Sequence, residues 1–201
     1  MKRVSPGAFF LALSMIVALS NPSPVTAEDQ YIFGIMANRT AIEMQGEAGF
    51  YLQPSTFYAE VNGVYHEDRY RMLGAHALIG NVIHPGLTGK LGFKGYFGRF
   101  ERSNRNNQDL AAIAFVVSAS YDLSDVIAAH YIPVILHATL SAGPRPTSFS
   151  DTKRFFEGVL AADWMFLENA AITAKLRYVD AKFDEWSRSH GSGYLGFKFI
   201  F

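Results

Sequence analysis

The sequence contains no cysteine, which excludes a disulfide-stapled secreted scaffold and any thiolate metal centre. Beyond residue 27 it also lacks a run of about 18 apolar residues, so no segment there can cross a bilayer as a single helix. Nor is positive charge in excess. The 18 Lys and Arg stand against 18 Asp and Glu, a balance that argues against a nucleic-acid partner. What the chain does have is aromatic side chains, with 17 Phe and 10 Tyr. If such a chain enters a membrane, it must do so as strands that satisfy one another's backbone groups.

The first residues read as a secretory signal peptide. Lys2 and Arg3 precede an apolar stretch from Ala8 to Leu19, a break at Asn21-Pro22-Ser23-Pro24, and small residues at Val25 and Ala27; this pattern places a cut before Glu28. Cleavage removes two of the 18 basic residues and no acid, leaving a slightly negative mature chain. Residues 28–201 show no shift in composition, so one domain is expected.

Period-two alternation dominates that domain. Ile42, Met44, Gly46, Ala48, Phe50 and Leu52 interleave with Glu43, Gln45 and Glu47, the pattern of a strand with one apolar and one polar face. Leu87, Leu91, Phe93 and Phe97 alternate with Thr88, Lys90, Lys94 and Tyr96, and Phe156, Leu160, Ala162, Trp164 and Phe166 with Glu157 and Asp163. Such segments fall at 31–37, 41–52, 56–65, 70–80, 87–99, 110–121, 134–142, 154–166, 171–183 and 193–201. The expected fold is therefore all-β: a transmembrane up-and-down antiparallel β-barrel of about ten strands, an even number as single-chain bacterial barrels require. Eight stays open, because the first segment is short and Arg71 shares parity with Leu73, Ala75 and Ala77. Long polar connections at 99–108, 143–153 and 184–192 read as outer loops, and short breaks at 53–55 and 167–170 as periplasmic turns. The twelve residues from Asp122 to Pro133 break this rule and are expected to form a small helix or plug-like insertion.

Ten charged residues share the parity opposite the large apolar side chains: Glu43, Glu47, Glu60, Glu157, Asp163, Lys90, Lys94, Lys175, Arg177 and Lys198. A Lys or Arg on the lipid face near the midplane costs roughly 2–4 kcal/mol, so all ten are expected in the lumen, paired with opposite charges. A barrel of about eight to ten strands has room for side chains and little else, which excludes a wide porin. In the hairpin of 154–166 and 171–183, a connection from Leu167 to Ala171 is expected to set Phe166 opposite Ile172 and Asp163 opposite Lys175.

Leu195, Phe197, Phe199 and Phe201 form the apolar face of a last strand ending in phenylalanine, which resembles the signal read by the outer-membrane barrel assembly machinery. Ser141-Ala142-Gly143-Pro144, Ser148-Phe149-Ser150-Asp151, Arg154-Phe155-Phe156-Glu157-Gly158, Leu176-Arg177-Tyr178-Val179-Asp180 and Gly193-Tyr194-Leu195-Gly196 go further. Together with Gly92-Phe93-Lys94-Gly95-Tyr96, they make the chain resemble the YfaZ family of small enterobacterial outer-membrane protein precursors. The family's turn after the strand ending near Tyr121 is shorter, and its first strands are richer in glycine. The resemblance implies a Gram-negative outer-membrane location and a barrel, and supplies no catalytic residues.

His66, His76, His84, His130, His137 and His190 show no metal-ligand spacing. His137 shares a strand face with Thr139 and Ser141, the residue types of a hydroxyl nucleophile and its base. That face points into the lumen, away from lipid, so neither catalysis nor a cofactor is expected. Asn104, Asn106 and Asn107, with Arg102 and Arg105, could meet lipopolysaccharide phosphates. The expected protein is a monomeric barrel with a structural or narrow-channel role in small-solute passage, its partners being outer-membrane lipid, lipopolysaccharide and, during biogenesis, the assembly machinery. A lipid-modifying barrel enzyme and a soluble lipocalin-like binder are the alternatives. The mid-strand charges disfavour the apolar interior that the binder needs. Export is tested by intact mass: the mature protein should start at Glu28, and a product retaining Met1 would defeat the signal-peptide reading.

Overall fold

The computed structural model describes residues 30–52, 55–101, 107–124 and 133–201. The signal peptide and its cleavage point, Arg102 to Asn106, His130 and most of the Asp122 to Pro133 connection lie outside these residues. Alternation becomes strand nearly everywhere it was read: β1 (Gln30–Ala37), β2 (Ala41–Leu52), β3 (Ser55–His66), β4 (Tyr70–His84), β5 (Leu87–Phe100), β6 (Gln108–Asp122), β7 (Val134–Gly143), β8 (Ser148–Ser150), β9 (Thr152–Leu167), β10 (Ala170–Phe183) and β11 (Ser187–Ile200). Every pairing is antiparallel, and β1 pairs with β11 while β5 pairs with β6. The sheet thus closes on itself as a ten-stranded barrel.

The three-residue β8 is not an eleventh wall strand. After a 3-10 turn at Arg145–Thr147 it resumes the course of β7 along β6, with Leu110 opposite Ser150 and Ala112 opposite Ser148. Part of the connection expected at 143–153 is therefore wall. The expected loop at 184–192 is also corrected, because β11 begins at Ser187 and only Asp184, Glu185 and Trp186 turn the chain, closed by Phe183 N–H to the Trp186 carbonyl at 2.9 Å. Serine and glycine in Ser187–Gly193 carry no apolar alternation, yet their backbones pair with Leu176–Lys182. Backbone hydrogen bonding overrides a weak side-chain pattern here.

Local chemistry sets the turns. Asn38 Oδ1 accepts the Thr40 and Ala41 N–H groups at 2.9 and 2.8 Å, an Asx turn that reverses the chain between β1 and β2. Pro85-Gly86 joins β4 to β5, and Gly86 takes φ 75°, which glycine adopts without a Cβ clash. In the β9–β10 hairpin the expected register is wrong by two residues. Leu167 pairs with Ala170 across Glu168-Asn169, and a bulge after Ala170 sets Trp164 opposite Ile172 and Asp163 opposite Thr173, leaving Lys175 opposite Ala161. The tight turn pairs backbone that a five-residue loop would have left unpaired.

One parity faces out on every strand. Leu91, Phe93, Phe97, Leu140, Leu160, Leu176 and Leu195 are among the large apolar side chains left exposed on the outside, the apolar band of a transmembrane barrel. Arg71 does share that outward parity, but it sits one residue from the start of β4 at the rim, over the Tyr65 ring and 3.8 Å from Glu101. At the closing seam β1 and β11 share only the pairs from Ile32–Ile200 to Ala37–Leu195. Gly196 makes that approach possible, since a Cβ there would run into the Ile35 carbonyl oxygen and the Met36 Cα. Gly196→Ala should therefore destabilise the barrel by about 1–3 kcal/mol, read as a lowered unfolding midpoint by heat-dependent electrophoretic mobility. An unchanged midpoint would mean that the seam tolerates the methyl group.

Candidate functional site

The inward parity builds the lumen, and all ten of the singled-out charges point into it. Five of them, Lys175, Glu43, Arg177, Glu157 and Lys94, form one continuous buried chain. Glu43 Oε1 accepts from Lys175 Nζ at 2.7 Å and from Arg177 Nη2 at 2.9 Å. Arg177 Nε reaches Glu157 Oε1 at 3.0 Å, an ion pair without the alignment of a hydrogen bond. Glu157 Oε2 then accepts from Lys94 Nζ at 3.1 Å and Tyr96 OH at 2.6 Å. Glu43 and Glu157 are 0% and 1% exposed and Arg177 3%. Such carboxylates are tolerable only because each meets two donors. The chain crosses the barrel interior from β2 through β10 and β9 to β5.

The remaining charges sit nearer the end that carries both termini and are more open. Asp163 accepts Thr173 Oγ1 on one oxygen at 2.7 Å, and His137 Nε2 and Lys198 Nζ on the other at 2.9 and 2.5 Å. Glu47 pairs with Lys90 at 3.0 Å, and Glu60 with His76 at 3.4 Å. Asp163 and Lys175, expected to meet, do not: Asp163 is held by β7, β10 and β11, while Lys175 turns to Glu43 and to Gln45 Oε1 at 3.2 Å. The register shift of the hairpin is the cause.

The opposite end is closed by aromatics. Tyr70 stacks on Phe100 at 5.1 Å between centroids, Phe100 meets Phe183 at 5.2 Å, Phe183 meets Trp186 at 5.0 Å, and Tyr96 packs on Phe155 at 4.3 Å. With Leu110, Met72 and Val179 they form one buried cluster. Sequence reasoning weighed the inward charges and missed this plug. Its signal was present: Tyr96 has the parity of Lys90 and Lys94, and Phe155 that of Glu157.

Among the described residues His137 meets Asp163 and bonds no hydroxyl. Ser120 lies directly opposite it on β6, whereas Thr139 Oγ1 is 2.8 Å from Ser118 Oγ and Ser141 Oγ has no partner among the described residues. A nucleophile, base and acid are therefore not joined in a chain. Among the described residues no three His, Asp or Glu side chains are placed to hold a metal ion. Leu195, Phe197 and Phe199 line the outside of β11, and Phe201 N–H bonds the Tyr31 carbonyl at 2.8 Å.

No protein-family model matches the chain, and no curated protein matches it. Several solved structures are similar, three of them as follows. A chain from work on the mechanism of in-meso crystallization of membrane proteins is 10% identical, over 86% of this chain and 83% of that one, with a TM-score of 0.44. A porin refined at 1.8 Å resolution is 12% identical over 88% and 60% (TM-score 0.37), and the NanC porin in a rhombohedral crystal form is 11% identical over 86% and 99% (TM-score 0.42).

The network is tested by two double-mutant cycles in the refolded barrel. Glu43→Gln and Lys175→Met should each lower the unfolding midpoint, with a coupling of about 0.5–3 kcal/mol in the double variant. Asp163→Asn with Lys175→Met should couple more weakly. Additive losses in the first cycle would mean that Glu43 and Lys175 do not meet.

Proposed function

We propose that the chain is a cell outer-membrane barrel of the YfaZ type whose role is structural, with a lumen that is sealed at rest. The observation that carries this reading is the filling of the interior: an aromatic plug lies at one end and a buried ion chain crosses the middle. Five acids and five bases on the lumen wall leave it nearly neutral, so it offers no net field to select an ion. Passage of small solutes requires the plug to move. The apolar outer band suits contact with membrane lipid. Exposed basic side chains at the rim, Arg39 and Arg71 among them, suit the phosphates of lipopolysaccharide. The terminal Phe201 on an amphipathic strand suits recognition by the assembly machinery.

The reading is non-enzymatic, because neither of the two wall histidines with an acidic partner, His76 and His137, has a hydroxyl hydrogen-bonded to it among the described residues. It is tested by reconstituting the purified protein in planar bilayers after showing a heat-dependent mobility shift in the outer-membrane fraction. Wild type should give flat recordings, and Tyr96→Ala with Phe155→Ala should produce conductance steps. Stepwise conductance in wild type would overturn the sealed lumen.

A further inference from the structure

Among the described residues the lumen is packed with aromatics at one end and less filled at the end where β1 begins and β11 ends. There the ends of β2 to β5 line a recess of about 430 Å³. That volume lies in the lower part of the range for small-molecule sites, about 300–1,000 Å³. Its walls are Tyr51, Thr56, Tyr58, Gly80 with Asn81, Val82 and Thr88.

Charge is present beside this recess but already spent. Lys90 Nζ lies 3.0 Å from Glu47 Oε1 and 3.5 Å from the centre of the Tyr58 ring. The absence of a side chain at position 80 lets this cluster form, because a Cβ on Gly80 would come within 2.9 Å of Lys90 Cγ and 3.0 Å of Tyr58 Cε2. Tyr51, in contrast, is 45% exposed. The Thr56 and Thr88 hydroxyls make no side-chain hydrogen bond among the described residues.

We propose that this recess binds a neutral saccharide. An aromatic ring beside hydroxyls and a neutralised ion pair complements a sugar ring, which has an apolar C–H face to lay on Tyr51 and hydroxyls at its edge. A purely apolar ligand would strip water from Glu47, Lys90 and the threonines without replacing their hydrogen bonds. A free anion would meet Glu47, and a free cation Lys90. The source is either a soluble sugar or the glycan of the cell wall. Only that second question depends on placing both termini in the periplasm; binding itself does not, and it is independent of whether the lumen conducts.

The test uses the full mature barrel in a zwitterionic detergent without a sugar headgroup. Maltotetraose and tetra-N-acetylchitotetraose are titrated by calorimetry and by tyrosine fluorescence, and isolated peptidoglycan sacculi are used in co-sedimentation. Saturable binding of at least one oligosaccharide is expected. Tyr51→Ala should weaken it at least fivefold, Tyr51→Phe should retain it, and Gly80→Val should abolish it, with each variant first shown to keep its heat-dependent mobility shift. Arg39→Ala, at the opposite rim, should bind as wild type does. Co-sedimentation with sacculi would assign the glycan as source, and binding of maltotetraose alone a soluble sugar. No saturable binding by either oligosaccharide, or undiminished binding by Tyr51→Ala, would overturn the proposal.

Discussion

Closure of the backbone hydrogen-bond ladder is the constraint on which the rest depends. A strand in a bilayer has no water to satisfy its edge, so each must find two neighbours. Ten strands meet that condition once β1 pairs with β11 and β5 with β6. Closure sets the circumference, and with it an interior about as wide as its own side chains. Every inward residue must then touch others. An inward charge has no bulk water to turn to, so it needs a partner across the lumen.

The ion chain meets that need and also braces the weakest part of the wall. β1 is the shortest of the ten barrel strands and shares only a short ladder with β11. Glu43 stands on β2 and its partners Lys175 and Arg177 on β10, with only β1 and β11 between them. Their ion pairs therefore straddle the closing seam from inside. Lys198 of β11 reaches past β10 to Asp163 of β9. The strands on either side of the seam are thus tied to the wall by contacts that do not belong to the seam's own ladder. Removing one member of such a buried pair strands the other, which typically costs about 3–5 kcal/mol.

The faces of the strands were legible in the sequence, but their offsets were not. Alternation at Ile42 to Leu52 or Phe156 to Phe166 states which residues share a side, because period two survives any shift by two residues. For the same reason it cannot tell Trp164 from Phe166 as the partner of Ile172. That choice was made by the Glu168-Asn169 turn and the bulge beside Ala170, where backbone pairing outweighs pattern. The inward side of Glu43 and Arg177 was legible, whereas their meeting across two intervening strands needed the barrel's stagger. Ser187 to Gly193 hid a strand because serine and glycine carry no hydrophobic signal.

The lumen's asymmetry follows from what each end faces. Near the plug, Tyr70, Phe100, Phe155 and Phe183 bury large areas that no polar solute can cross without separating stacked rings. Toward the termini the inward positions become Thr56, Thr88, Ser118, Ser120 and His137, which keep hydrogen-bonding capacity and partial access to water. A filled, symmetric rod would only span the membrane. Among the described residues the interior instead grades from packed aromatics at one end to polar side chains toward the other, and the proposed sealed lumen and saccharide recess both rest on that gradient.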